Sequence, residues 1–247
     1  VWVSGSTLTE LDRAIETPLN TAFTEIWFKT QASIPASGSD GSYYLYYGNP
    51  SANPAPSNRI NVYANWDDFT GPSVDTSQWT VTGGSVTVNS GLASLPVGVN
   101  LFGRSSATYA LWEARLRINP ENDFAWWGLE QAPNDSPNFI VFQETDTTFM
   151  SWMRRNGADS STNLANPAGG LTAWHTYGID WRSNSVRWLV DGNQVRNATS
   201  NIVSVALSPS LYAYAVPMTV DWVRARLSAV QEPSLALCNQ QSFPTAT

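Results

Sequence analysis

The chain has 247 residues, of which 42% are hydrophobic, enough for one large domain or for a main domain with a smaller companion. Together with this hydrophobic fraction, the low fraction of charged residues, 13%, excludes disorder as the default. The 20 acidic and 13 basic residues give a net charge of -7, which argues against nucleic acid as a partner. No apolar run approaches the ~18 residues of a membrane span, so we expect no membrane insertion.

Residues 1–60 predict a small β-rich segment that ends in a loop. The run "LTELDRAIE" is interpreted as a short helical turn or a loop, and "TEIWFKTQ" and "SYYLYYGNP" are predicted to be strands. The proline-rich stretch at 49–58 has no apolar periodicity and predicts a linker. We therefore divide the chain into a partial β-rich companion domain with its linker at 1–60, a main domain at 67–230 and a C-terminal tail at 231–247.

The main domain consists of short runs with alternating apolar residues, such as "WEARLRIN", "NFIVFQE" and "SVRWLVDG", separated by turn residues. This pattern predicts an all-β fold, an antiparallel β-sandwich. A hairpin is predicted at 174–193, with a polar turn between its two strands. The side chains that share one face of each hairpin strand, and are predicted to enter the core, are Tyr177, Ile179 and Trp181, then Val186, Trp188 and Val190.

Two family resemblances rest on these motifs. The stretch "IPASGSDGSYYLYYGNPSA", followed by "WDDFTG", resembles an uncharacterised domain family of large secreted or surface-attached prokaryotic proteins with a Tyr-Tyr-Gly-Asn-Pro signature. Residues 67–227, with "WEARLRI", "FAWWGLE" and "WHTYGIDWRSNSVRWLVDG", are similar to concanavalin A-like jelly rolls, especially the laminarinase-type glycoside hydrolases. The resemblances imply a concanavalin A-like jelly roll and a location outside the cell or at the cell surface.

The laminarinase resemblance implies two catalytic carboxylates on one strand, in a Glu-x-Asp-x-x-Glu pattern or a version one residue shorter. The corresponding strand is "NFIVFQETDTTFMSW". If the Glu-x-Asp-x-x-Glu pattern starts at Glu144, its last glutamate would fall on Phe149. If the pattern ends at Glu144, its first two acids would fall on Phe139 and Val141. Retaining glycosidases need both carboxylates. We therefore expect that the protein is not an enzyme.

Alternatives remain for the acidic residues of this region. Glu144 and Asp146 are either solvated residues at a strand end or polar ligand contacts, and Glu130 with Asp135 is the candidate pair of a hydrolase with displaced carboxylates. His175 is the only histidine, which excludes a multi-histidine zinc site. It is predicted to form a structural hydrogen bond near the start of its strand.

A carbohydrate ligand is the interpretation that best suits the aromatic residues. Sugar sites combine flat rings with a few amide and carboxylate groups. Adjacent Trp126 and Trp127 point to opposite faces, so that one fills the core and the other reaches the ligand. The predicted ligand-binding residues are Trp126, Trp127, Gln143, Glu144, Trp152 and Arg154, with core or interface packing as the alternative for each tryptophan.

A structural Ca²⁺ is implied by the jelly-roll resemblance. The matching carboxylates are Asp68 in "WDDFTG" and Asp221 in "VDWVRAR", with Asp67 as a further candidate. Calcium takes about six to eight oxygen ligands, so backbone carbonyls would complete the shell. Paired or exposed aspartates are the alternative.

The expected function is a non-catalytic carbohydrate-binding or adhesion module of a cell-surface protein, with a polysaccharide or glycan as ligand. The first alternative is a structural subunit of an extracellular assembly or filament, in which further copies or neighbouring domains are the partners. The aromatic "SYYLYY" run favours it, because an unpaired strand edge invites the addition of a strand from a neighbour. The single cysteine, Cys238, also favours it and is either a free thiol or an intermolecular bridge. Asn134 and Asn197 lie in N-glycosylation triplets.

Overall fold

The structure is a computed structural model that describes residues 1–16, 24–35, 37–48, 51, 56–121, 123–133 and 136–228. Across these residues it forms β-strands and one 3-10 helix, Arg59–Asn61. The strands are β1 (Trp2–Ser4), β2 (Thr7–Thr9), β3 (Arg13–Ile15), β4 (Ile26–Phe28), β5 (Asn65–Asp67), β6 (Trp79–Thr82), β7 (Thr87–Asn89), β8 (Leu92–Leu95), β9 (Val99–Gly103), β10 (Ala110–Ile118), β11 (Ala125–Glu130), β12 (Phe139–Glu144), β13 (Phe149–Arg155), β14 (Ala158–Asn163), β15 (His175–Trp181), β16 (Val186–Val190), β17 (Asn193–Ala198), β18 (Ser208–Ala213) and β19 (Met218–Leu227).

Two large antiparallel sheets form a sandwich, which confirms the predicted fold class. The seven-stranded sheet has the order β14-β13-β12-β11-β18-β9-β6. The eight-stranded sheet has the order β17-β16-β15-β10-β19-β8-β7, and β5 also pairs with β19. No helix in the described ranges is long and apolar enough to cross a membrane.

The core lies between the two sheets and is rich in tryptophan. Trp112, Trp181 and Trp188 are fully buried, and all six predicted core residues of the 174–193 hairpin are buried. The indole N–H of Trp188, from the eight-stranded sheet, donates to the carbonyl of Val141 in the seven-stranded sheet at 3.1 Å. The period-2 pattern therefore predicted the buried faces of this hairpin correctly.

The N-terminal segment differs in part from its prediction. The run "LTELDRAIE" contains parts of β2 and β3 rather than a helical turn, because β3 pairs with β4, the predicted "TEIWFKTQ" strand. The "SYYLYY" run forms only an isolated bridge between Tyr43 and Trp2, and the next side chains, Tyr44 to Tyr47, are exposed. The tail at 231–247 with Cys238, much of the linker, Asn134 and Asp135 lie outside the described residues.

A charged network joins the N-terminal segment to the outer face of the eight-stranded sheet. Glu16 accepts hydrogen bonds from Arg59 at 2.6 Å and from the hydroxyl of Tyr63 at 2.7 Å, and it forms an ion pair with Arg224 on β19 at 3.0 Å. Burial and the hydrogen bond to Glu16 raise the pKa of the Tyr63 phenol, so it remains a donor. Arg224 also donates to Glu113 on β10 at 2.7 Å.

Replacement of Glu16 by glutamine should loosen this contact. It removes the carboxylate that Arg59 and Arg224 share and leaves Arg224 paired with Glu113 alone, so the free energy of unfolding should fall by about 1 to 3 kcal/mol. Urea unfolding and limited proteolysis of the first 60 residues measure the effect. Glu10→Gln is the matched control, because Glu10 pairs with Arg13 at an exposed position. Equal stability of the two variants would contradict the role of the network.

A second ion-pair network lies on the outer face of the eight-stranded sheet. The carboxylate of Asp180 accepts hydrogen bonds from Arg182 at 2.9 Å and from Arg187, and its side chain is 8% exposed. Burial alone would raise the pKa of Asp180, but the two guanidinium groups outweigh it and hold the pKa below its usual value.

This lowered pKa predicts an acid-dependent contribution to stability. It is fully present above the unfolded-state pKa of about 3.9 and is lost as the pH falls through the lower folded-state pKa. Asp180→Asn should cost about 1 to 3 kcal/mol at pH 7, and its deficit relative to the wild type should shrink below pH 4. Urea unfolding at pH 7 and pH 3 tests this, with exposed Asp146→Asn as control; a deficit independent of pH would refute it.

Candidate functional site

The candidate site is the outer face of the seven-stranded sheet. Ile140 and Phe142 of β12 point into the core, so the alternating residues Phe139, Val141 and Gln143 point outward. Strand pairing brings outward residues of neighbouring strands beside them. The outer face comprises Asn100, Phe102, Trp126, Glu130, Phe139, Val141, Gln143, Met150, Trp152, Arg154, Asp159, Ser161, Ser208, Ser210 and Tyr212.

The tryptophan pair on β11 divides between core and surface, as alternation predicts. Trp127 is 0% exposed and contacts Phe142 and Tyr177 in the core, with ring centroids 6.2 and 5.0 Å away. The prediction that Trp127 contributes to a ligand surface is therefore wrong. Trp126 is half-buried on the outer face.

Two tyrosines complete an aromatic group around Trp126. Its ring meets Tyr212 edge-on at 4.6 Å and stacks on Tyr214 at 5.9 Å, with 21° between the planes. Tyr214 is 50% exposed, and burial raises the pKa of Tyr212. Neither tyrosine was among the predicted ligand-binding residues. Their alternation in "LYAYAV" was visible, but their position beside β11 depends on the pairing of β18 with that strand.

A second aromatic group lies across the outer face on β12 and β13. Trp152 meets Phe139 edge-on at 4.6 Å, and the guanidinium of Arg154 lies 4.9 Å from both ring centroids. Asp159 accepts from the indole of Trp152 at 2.9 Å and from Arg154 at 2.7 Å. The hydrogen bond from Arg154 lowers the pKa of Asp159. The structure thus places Trp152 and Arg154 on one face, as predicted.

Glu144 does not belong to the outer face. It pairs with Ala125 and Phe149, whose side chains lie in the core, and it is 3% exposed. Burial raises the pKa of Tyr177, and the charge of Glu144 contributes to this rise. The predicted roles of Glu144 as a ligand contact or a solvated residue are therefore wrong, because residue 144 alternates to the inner side of β12. Gln143 does lie on the outer face, where it is 7% exposed.

The two acids among the outer-face residues of the described strands, Glu130 and Asp159, lie far apart across the sheet. Three inter-strand steps separate Glu130 from Asp159. At about 4.8 Å per step, their Cα atoms lie roughly 14 Å apart. Glycosidases need the two carboxyl groups themselves about 5 to 5.5 Å apart for retention or about 6.5 to 9.5 Å apart for inversion. Here the indole of Trp126 holds Glu130, and Trp152 with Arg154 holds Asp159. Arg154 lies between the two acids and is bound to Asp159.

His175 has the structural role predicted for it. Its Nδ1 lies 2.7 Å from Asp191 and its Nε2 lies 3.0 Å from the carbonyl of Gly170. Asp191 also accepts from the N–H of Thr176 at 2.9 Å. These contacts hold the start of β15 against the turn after β16.

The proposed calcium ligands have other partners. Asp221 is ion-paired with Arg115, and Asp68 accepts from the hydroxyl of Thr70 at 2.8 Å. Asp67 accepts from the indole of Trp79 at 2.8 Å, and burial raises its pKa. Within the described ranges, no three side chains of His, Cys, Asp or Glu gather as metal ligands. An ion here would have to displace Arg115 and take most of its oxygens from the backbone.

We propose Ca²⁺ binding at Asp68 and Asp221, which a melting experiment tests directly. If an ion binds, CaCl₂ should raise the melting temperature relative to EDTA, because a ligand of the folded state stabilises it. The rise should disappear in Asp221→Asn and persist in Asp146→Asn. Identical melting curves in CaCl₂ and EDTA would rule the ion out.

Two family descriptions match separate parts of the chain. Residues 3–82 match "Domain of unknown function (DUF2341)", and residues 143–227 match "Glycosyl hydrolases family 16". The second match covers the strands from the end of β12 to β19. The sandwich is a jelly roll whose second half is similar to the glycosyl hydrolases family 16. The predicted boundary between 60 and 67 falls inside the first match, which continues to the end of β6.

Known proteins with similar sequences are glucanases. A beta-glucanase of Bacillus amyloliquefaciens is 32% identical over 109 residues, which are 40% of this chain and 45% of that protein. A xylanase/beta-glucanase of Ruminococcus flavefaciens is 38% identical over 53 residues, or 22% of this chain and 7% of that protein. The chain therefore spans less than half of the length of either relative.

A solved structure shares the fold. The beta-glucanase of Bacillus licheniformis superimposes with a TM-score of 0.52 at 17% identity, over 66% of this chain and 97% of that structure. The jelly roll is therefore related to the beta-glucanases in its fold and in part of its sequence.

Proposed function

We propose that this protein binds a β-linked glucan on the outer face of its seven-stranded sheet without cleaving it. It would act as a carbohydrate-binding module outside the cell or at the cell surface. The observation that carries the proposal is the outer face itself, which combines two aromatic groups with amide and hydroxyl groups. Its two acids on the described strands, Glu130 and Asp159, are separated by three inter-strand steps.

The chemistry of the outer face suits a neutral polysaccharide. Exposed edges and faces of Trp126, Tyr214 and Trp152 can stack on sugar rings, and Gln143 can bond to hydroxyls. The charges of Arg154 and Asp159 compensate each other, so the face offers no net attraction for an anionic glycan. The glucan class is suggested by the names of the sequence relatives.

The test measures binding and cleavage separately. Isothermal titration is run with soluble mixed-linkage β-glucan, with laminarin and with dextran as an α-linked control. It should show binding to at least one of the two β-glucans and no binding to dextran. A reducing-sugar assay on the same mixtures should show no new chain ends. Absence of binding to both β-glucans would overturn the proposal, and release of reducing ends would replace it with a hydrolase that has displaced carboxylates.

A second candidate function is assembly with further copies or neighbouring domains of a larger surface protein. The observation that favours it is the exposed aromatic run of the N-terminal segment, where Tyr44, Leu45 and Tyr47 are 51%, 61% and 67% exposed. Exposed apolar side chains in one run are typical of interaction sites. Light scattering after size-exclusion chromatography should then show an oligomer that Tyr44→Ser with Tyr47→Ser converts to a monomer. A wild-type monomer at all concentrations would refute this candidate.

A further inference from the structure

Glu130 is a buried acid of the outer face that touches its central tryptophan. Trp126, Gly128 and Glu130 occupy alternate positions of β11, so they lie on one side of the sheet. The side chain of Glu130 is almost fully buried, and its Oε1 accepts a hydrogen bond from the indole N–H of Trp126. Gly128 carries no side chain, so the indole and the carboxylate meet across it.

The glycine between them cannot be replaced without strain. Gly128 has a φ of +152°, and a Cβ there would lie 2.4 Å from the carbonyl of Ile140. The same Cβ would lie 2.8 Å from the Cδ1 of Ile179, a core residue of the eight-stranded sheet. Gly128 therefore presents no side chain on the outer face between Trp126 and Glu130, the first and last residues of Trp-Trp-Gly-Leu-Glu.

The indole of Trp126 is consequently held on three sides. Tyr212 contacts it edge-on, Tyr214 stacks against it, and the carboxylate of Glu130 fixes its N–H. A side chain that must be ordered during binding lowers the affinity, whereas a ring already fixed in place avoids that cost. The two tyrosines restrain the plane of the ring, and only Glu130 among these contacts fixes the direction of its N–H.

We infer that Glu130 is a positioning residue that fixes the indole of Trp126 in the orientation used to stack on a sugar. This inference rests on the proposed glucan binding. Glu130 acts through Trp126 and not by touching the sugar, because its side chain is 2% exposed.

The experiment follows the indole and the affinity together. The full chain is labelled with 5-fluorotryptophan, and the ¹⁹F resonance of Trp126 is assigned from its loss in Trp126→Phe. In Glu130→Ala this resonance should shift and broaden, and the Kd for mixed-linkage β-glucan should rise about three- to tenfold. Glu130→Gln keeps an oxygen that can accept from the indole, so the resonance and the Kd should stay near wild type. The resonance of Trp174, which lies against Arg115 and Arg117 on the other sheet, is the internal control.

Two results would overturn the inference. One is an unmoved Trp126 resonance in folded Glu130→Ala. The other is an equal loss of affinity in the alanine and glutamine variants with the indole still in place, which would assign Glu130 to direct sugar contact. Glu130→Ser, too short to reach the indole, serves if the alanine variant does not fold. If the wild type binds no glucan, the proposed function fails, while the ¹⁹F comparison still decides whether Glu130 positions Trp126.

Discussion

Replacement of Trp126 by alanine is expected to weaken the binding of soluble β-glucan by at least about tenfold, and by about 30-fold if the residue is a hot spot of about 2 kcal/mol. Trp126 is the centre of the aromatic group on the outer face, where it contacts Tyr212 and Tyr214 and is held by Glu130. Its removal takes away the largest stacking surface and also the ring that supports Tyr214. The measurement is isothermal titration with mixed-linkage β-glucan.

The control for this loss is another half-buried tryptophan outside the outer face. Trp174 lies against Arg115 and Arg117 on the eight-stranded sheet, so Trp174→Ala removes a comparable ring without touching the proposed site. Its affinity should stay at the wild-type value. Equal losses in the two variants would point to general destabilisation, and an unchanged affinity of Trp126→Ala would remove the aromatic group from the binding site.

The adjacent substitution, Trp127→Ala, is expected to lower the free energy of unfolding by about 3 to 5 kcal/mol, the cost of deleting a fully buried tryptophan side chain. Trp127 is 0% exposed and packs against Phe142, Phe149 and Tyr177, with centroid distances of 6.2, 6.1 and 5.0 Å. Alanine would leave a cavity between the sheets that the surrounding rings fill only in part. Urea unfolding followed by circular dichroism measures the change.

The neighbouring residue supplies the matched control for this second prediction. Trp126→Ala should cost much less stability than Trp127→Ala, because its ring lies on the outer face and is half-buried. The two alanine variants should therefore separate binding from stability at consecutive positions. Similar unfolding midpoints for the two would contradict the placement of Trp127 between the sheets.

Much of the fold follows from local patterns in the sequence. Alternation of apolar residues predicted that Tyr177, Ile179 and Trp181 enter the core, and all three are fully buried. Alternation is reliable here because successive side chains of a strand point to opposite faces, whatever the strand pairs with. The same rule predicted that Trp126 and Trp127 diverge. The all-β antiparallel sandwich followed from the number and spacing of such runs.

The composition of the outer face depended on contacts between distant parts of the chain. Alternation places residues 143 and 144 on opposite sides of β12 but does not say which side meets the second sheet, so Glu144 was predicted on the wrong side. Tyr212 joins Trp126 only because β18, more than 80 residues along the chain, pairs with β11. The partner of Arg224 in the N-terminal segment is likewise remote.

The sequence by itself therefore determined the fold class, the strand faces relative to one another and the absence of the Glu-x-Asp-x-x-Glu pattern on the strand where the family resemblance places it. Only the tertiary structure decided which face of the seven-stranded sheet is free, which acids lie on it and which aromatic rings meet there. The physical reason is that side-chain alternation is a property of a single strand, whereas strand pairing and sheet packing are set by burial of apolar surface over the whole molecule.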